Sequence, residues 1–111
     1  MRVVTIPESC TRDEFMLCVR TALKTLVPFG KALVILDDDT IKYGDNEKDG
    51  THCYKFFSDR WPAEQIARGQ AADLIAIECP THFSKESIAS LMPILCVKEN
   101  TILLVQERTK K

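Results

Sequence analysis

Two short apolar runs, "ALVIL" at 32–36 and "LIAI" at 74–77, constrain this chain more than any other feature. Neither is long enough for an ordinary helix, and neither is interrupted by a polar residue, which is the pattern of a strand buried on both faces. Such strands need helices above and below them, so an α/β domain with a mixed sheet is expected. At 111 residues the chain is the size of one domain and can bury a core without disulfides or metals.

The covering helices are written in a second periodicity. Thr11 followed by Glu14 is a capping box, with Asp13 also favourable in a first helical turn. Behind it Phe15, Cys18, Val19, Ala22, Leu23 and Leu26 fall on one helical stripe, which Pro28 and Gly30 end. A second helix is expected near Pro62, with Ala63, Ile66, Ala67 and Ala71 apolar and Gly69 weakening it. A third is expected from Ser84, carrying Ile88, Leu91, Met92 and Leu95, with a kink or early end at Pro93.

The remaining strands are "RVVTI" at 2–6, "THCYKFF" at 51–57 and "TILLVQE" at 101–107. The polar stretch "GDNEKDG" at 44–50 reads as a turn, making "KALVIL" and "THCYKFF" the arms of a hairpin. The expected order is therefore β-α-β-β-α-β-α-β: a ferredoxin-like core with an added αβ unit, residues 1–107, ahead of a basic tail at 108–111. A receiver-like parallel sheet is the alternative. The final β-α-β unit predicts parallel pairing of its two strands.

The acid cluster Asp37, Asp38 and Asp39 closes the first apolar run, and Glu78 closes the second. Carboxylates at the ends of buried strands are where α/β folds place sites, and Mg²⁺ is the cation that such a cluster would take. "KALVILDDD" and "ADLIAIECP" resemble the two acid-bearing strands of response-regulator receivers. That resemblance implies an Mg²⁺-binding signalling domain with Glu78 in the place of the phospho-acceptor aspartate. The segment 40–50 is short for the first receiver helix, and no lysine ends a later strand. A haloacid-dehalogenase pattern is excluded, because Thr40 follows Asp39 one residue too early. The competing reading is a solvated acidic turn that discourages edge pairing.

"VVTIPESCTRDEF" is similar in rhythm to the first strand and helix of RNA-recognition motifs, and "DGTHCYKFF" lies where their third strand would. The resemblance implies an RNA-binding module of ferredoxin-like fold, with Tyr54, Lys55 and Phe57 as the residues to test. It lacks the rings on the first strand that stack bases. A net charge of -1 also argues against a nucleic-acid partner. His52, Cys53, Cys79 and His82 are zinc-ligand types, but adjacent strand residues point to opposite faces. For the same reason Glu78 would not orient a Cys79–His82 pair, so no catalytic residue is assigned.

"YKFFSDRWP" gathers aromatics and an arginine in nine residues, a composition favoured at interface centres. Phe56, Phe57, Arg60, Trp61 and Phe83 are the candidate interface residues. The expected protein is therefore a non-catalytic interaction or regulatory domain that needs no cofactor and binds a protein, including itself as a homodimer. No apolar run approaches the roughly 20 residues of a membrane span. The N-terminus lacks a secretory h-region, and the five cysteines are odd in number and irregularly spaced. A cytoplasmic or nuclear location with reduced thiols is expected.

Overall fold

A strand at each end of the sheet and a helix laid across its middle define the architecture. The structure is a computed structural model, and it describes residues 2–26, 30–38, 40–42, 45–58, 61, 71–78 and 96–106. Its elements in chain order are β1 (Arg2–Ile6), α1 (Arg12–Leu26), β2 (Lys31–Leu36), β3 (Asn46–Asp49), β4 (His52–Ser58), β5 (Ala71–Ile77) and β6 (Cys96–Gln106). The six strands form one sheet in the order β1-β6-β5-β2-β4-β3. Every adjacent pair is parallel except β3 with β4, which is antiparallel. The chain is a single α/β domain with a mostly parallel mixed sheet.

The ferredoxin-like order is not what forms. Such a unit keeps its first strand inside an antiparallel sheet, whereas β1 lies at an edge beside β6. A receiver-like sheet also keeps its first strand interior. The expected hairpin of "KALVIL" with "THCYKFF" is likewise corrected, because β2 and β4 run parallel. The reason lies in "GDNEKDG", where Asn46–Asp49 form a four-residue edge strand rather than a turn and take the antiparallel place beside β4. An edge strand with mostly exposed side chains has no apolar alternation to reveal it. The parallel pairing expected of the last two strands is present between β5 and β6.

Helix α1 begins as its capping box predicts. The Thr11 amide donates to Glu14 Oε1 at 2.9 Å and the Glu14 amide to Thr11 Oγ1 at 3.2 Å. Phe15, Val19 and Leu23 are fully buried against Ala32, Val34, Leu36, Tyr54, Leu74 and Ala76. Each such side chain contributes about 1.5–3 kcal/mol on burial. Cys18 departs from the expected stripe and is exposed, while Met16 packs against the core in its place.

The opposite face of the sheet holds a second core of Leu33, Ile35, Phe57, Ile75, Ile77, Leu103 and Val105. The helices expected near Pro62 and from Ser84 lie outside the described residues, as does the 108–111 tail, except that Ala71, expected on the first of these helices, instead begins β5. Strand β5 serves both cores by changing register: the step from Ala72 to Leu74 is matched on β6 by the step from Val97 to Ile102. Ala72 therefore packs with Ile75 and Ile77, although its parity is that of Leu74 and Ala76. The Thr101 hydroxyl satisfies the Ala72 carbonyl at 2.8 Å, and the Lys31 amide donates to Asp73 Oδ2 at 3.0 Å.

Gly50 turns β3 into β4 with φ of +61°, and a Cβ there would meet nothing within 4 Å. The cost of substitution is therefore in the backbone alone, about 1–2 kcal/mol for an L residue in this region. Gly50→Ala should lower the unfolding free energy by about 1 kcal/mol in urea, and Gly50→Asn by less.

Candidate functional site

Strands β2 and β5 are parallel neighbours, so their acidic C-terminal residues emerge side by side. The Glu78 amide continues the ladder by donating to the Ile35 carbonyl at 2.8 Å. This is also where the strand order reverses: the chain moves outward from β2 to β4, then returns to β5 on the other side. Open α/β sheets bind ligands in the crevice at such a reversal.

Arg12, the first residue of α1, fills that crevice. Its Nε donates to Glu78 Oε2 at 2.8 Å and its Nη2 to Glu78 Oε1 at 2.6 Å, a bidentate pair. Its Nη1 reaches Asp38 Oδ2 at 3.1 Å and its Nη2 the Asp37 carbonyl at 3.3 Å. The Asp37 amide donates to Glu78 Oε1 at 3.3 Å. The Glu78 side chain is 7% exposed and Arg12 41%, so a buried carboxylate is met by a cation that water still reaches.

The two strand ends thus converge on the Arg12 guanidinium. Asp38 and Glu78 contribute carboxylates to it; Asp37 contributes backbone; Asp39 lies outside the described residues. Among the described residues no group of three or more His, Cys, Asp or Glu side chains is placed to hold a metal ion.

Thr40 completes the Asp38 environment, donating its amide at 2.9 Å and its hydroxyl at 2.6 Å to Oδ1. These bonds, first the hydroxyl and then the amide, hold the Asp38 carboxyl below the usual carboxylate range, and Arg12 adds to the effect. The Arg12 guanidinium is itself raised, chiefly by its bond to Glu78. Arg12 was missed as a site residue because "TRDE" reads simply as a cap. The available signal was its sign, since a positive charge in a first helical turn opposes the helix dipole and needs a carboxylate elsewhere.

The aromatic candidates are divided among several places. Phe57 is buried in the far core, and Trp61 packs edge-on against it with centroids 6.0 Å apart and planes at 87°. Phe56 faces the other way, half-buried against the α1 core. Arg60 and Phe83 lie outside the described residues, as do Cys79 and His82. Tyr54 is fully buried beneath α1, with the Arg20 guanidinium 5.1 Å from its ring centroid. Tyr54 and Phe57 therefore offer no exposed rings on which RNA bases would stack.

The two edges of the sheet differ in kind. Edge β3 is "NEKD", and α1 ties it down: Arg20 forms a bidentate pair with Glu47 at 2.5 and 3.1 Å, and Lys24 pairs with Asp49. Charged, short edges resist pairing with another chain. Edge β1 is β-branched and carries one charge, Arg2. Val3 is 60% exposed, Val4 38% and, on the adjoining flank of α1, Leu17 64%; these are the exposed large hydrophobics among the described residues.

Val4, Ile6, Leu17, Ala22, Ile102 and Leu104 line an open groove of about 600 Å³ between β1 and α1, with Arg2 also on its wall. The sequence shows "RVVTI" to be a strand but contains no mark of its place at an edge. Leu17, an apolar residue off the helical stripe, was the missed sign of this surface.

Comparison with protein-family models, curated proteins and solved structures finds no match. Among the described residues no helix is long and apolar enough to cross a membrane.

Removing Arg12 leaves the Glu78 carboxylate buried and unpaired. Arg12→Ala should lower the unfolding free energy by about 2 kcal/mol, less than the roughly 3–5 of a fully buried pair because water reaches the guanidinium. Adding Glu78→Gln should recover part of that loss, since no charge then remains to be buried. An unchanged urea midpoint in Arg12→Ala would mean that the pair adds nothing to stability. Asp38 makes a separate pH-dependent contribution. Its depressed pKa stabilises the fold above the unfolded carboxylate range, and that stabilisation is lost as pH falls through the lower folded value. Thr40→Val should move the Asp38 carboxyl midpoint upward in a ¹³C NMR titration; a fixed midpoint would remove the hydroxyl from the account.

Proposed function

We propose that this domain is a protein-interaction module without chemistry of its own. It takes an extended strand from a protein partner along β1 and seats an apolar side chain of that partner in the groove beside α1. The observation that carries this reading is the placement of exposed Val4 and Leu17 around the groove beside an outer strand edge, with Val3 exposed on the other face of the same strand. A strand edge supplies backbone donors and acceptors in register, and an adjacent pocket supplies side-chain selection. Exposed apolar clusters of this kind mark interaction sites.

The strand-end crevice supports the non-catalytic part of the reading. Its buried carboxylate is engaged bidentately by Arg12, so these groups serve to fix α1 on the sheet. The half-exposed Trp61 stands against the core through Phe57, away from the strand edge that receives the partner.

The test is an NMR titration of ¹⁵N-labelled protein with a short β-branched peptide, N-methylated at alternate residues so that only one of its edges forms hydrogen bonds. Saturable shifts are expected at the amides of residues 2–6 and Leu17, and none at 46–49. Leu17→Glu should weaken the binding roughly tenfold or more, since burying a leucine contributes about 1.5–3 kcal/mol. Failure of the β1 amides to shift would sink the reading, and shifts at 46–49 would move the site to the other edge.

A further inference from the structure

We propose that the strand partner is a second copy of this chain, its β1 antiparallel to the first across a two-fold axis through Val4. This rests on the reading of β1 as a strand-capturing edge and specifies what is captured. An antiparallel pair related by a two-fold axis perpendicular to the sheet places a residue opposite its own copy. With the axis at Val4, Val3 lies opposite the second copy's Thr5 and Arg2 opposite its Ile6. β-Branched residues then face β-branched residues along the centre of the seam, a favourable cross-strand arrangement.

Charge favours this direction over the parallel one. Arg2 is the only charged residue of β1, and Glu8 follows the strand just beyond Pro7. Antiparallel pairing separates the two arginines by four positions, about 13 Å along the strand. It also brings each Arg2 towards the Glu8 of the other copy, so the edge is complementary to itself. Parallel pairing would set Arg2 directly beside Arg2.

The perpendicular axis also puts both α1 helices on the same face, one on each side of the seam. The two grooves then open towards each other, with the exposed Leu17 of each copy facing the seam. The contact is isologous and closes on itself. The outer edge of the joined sheet is β3 on both sides, where Arg20–Glu47 and Lys24–Asp49 hold a charged strand that resists further addition.

The experiment is sedimentation velocity of the full chain from low micromolar to near-millimolar concentration, on wild type and on three variants. Wild type should show a concentration-dependent monomer–dimer equilibrium. Val4→Lys and Val4→Asp, each of which sets like charges face to face on the axis, should both weaken dimerisation roughly tenfold or more. Mixing the two should restore a dimer, a signature that only a residue opposed to its own copy gives. Val3→Lys, at the more exposed of the two valines, serves in their place if the Val4 variants do not fold, and should weaken dimerisation likewise.

A wild-type chain that stays monomeric throughout, while the N-methylated peptide still shifts the β1 amides, would overturn self-association and leave strand capture standing. If neither is seen, both readings fall. A dimer that survives both Val4 substitutions would place the seam elsewhere and overturn the proposal.

Discussion

The pairing of Arg12 with the buried Glu78 carboxylate is the constraint around which the described domain is arranged. A carboxylate that is 7% exposed is costly to bury unless it is paired and hydrogen-bonded, and here the partner comes from the first residue of a helix anchored nearby. That requirement fixes the first turn of α1 over the ends of β2 and β5. With its start fixed, the helix lays Phe15, Val19 and Leu23 onto the sheet in one direction only. Further along it, Arg20 and Lys24 arrive at the β3 edge. One helix thus has a core stripe, a flank of cations that binds the far side of the sheet, and an apolar flank beside β1.

These two flanks give the sheet unequal edges. On the β3 side the backbone edge is short, charged and tied to the helix. On the β1 side it borders exposed valines and a groove. Surface ion pairs of the Arg20–Glu47 kind contribute little to stability, about 0–1 kcal/mol each. Their larger effect here is to cover the β3 edge with charge, which discourages edge pairing there. Among the described residues, the crevice where α/β sheets bind ligands is filled by Arg12, while β1 ends the sheet beside the groove, and both follow from the path of α1.

Much of this was legible in the sequence, and the exceptions have physical causes. The strand 2–6, the capped helix and the two apolar central strands are set by local chemistry and periodicity, and they form where those signals place them. Strand β3 was hidden because an edge strand exposed on both faces has no hydrophobic signature. Reading "NEKD" as a turn then forced β2 and β4 into a hairpin and produced the ferredoxin-like order. The nearness of Asp38 to Glu78 was legible from two acids ending two buried strands. The identity of their partner was not, because a capping box explains "TRDE" without requiring anything further of Arg12. Phe56 and Phe57 lie on opposite faces, as strand alternation requires of neighbours, but alternation does not say which face is covered.

One side chain connects the outer edge to the crevice. Gln106, at the end of β6, donates its amide to the carbonyls of both Pro7 and Cys10, at 3.1 and 2.8 Å. The turn between β1 and α1 is thereby clasped by the strand that pairs with β1. Gln106 thus ties the end of β6 to the segment leading into α1, and the helix carries the guanidinium on its first residue. Stiffening the outer strand would therefore narrow the range of positions open to Arg12, so amide exchange at Asp38 and Glu78 would report on events some distance away, at the margin of the sheet.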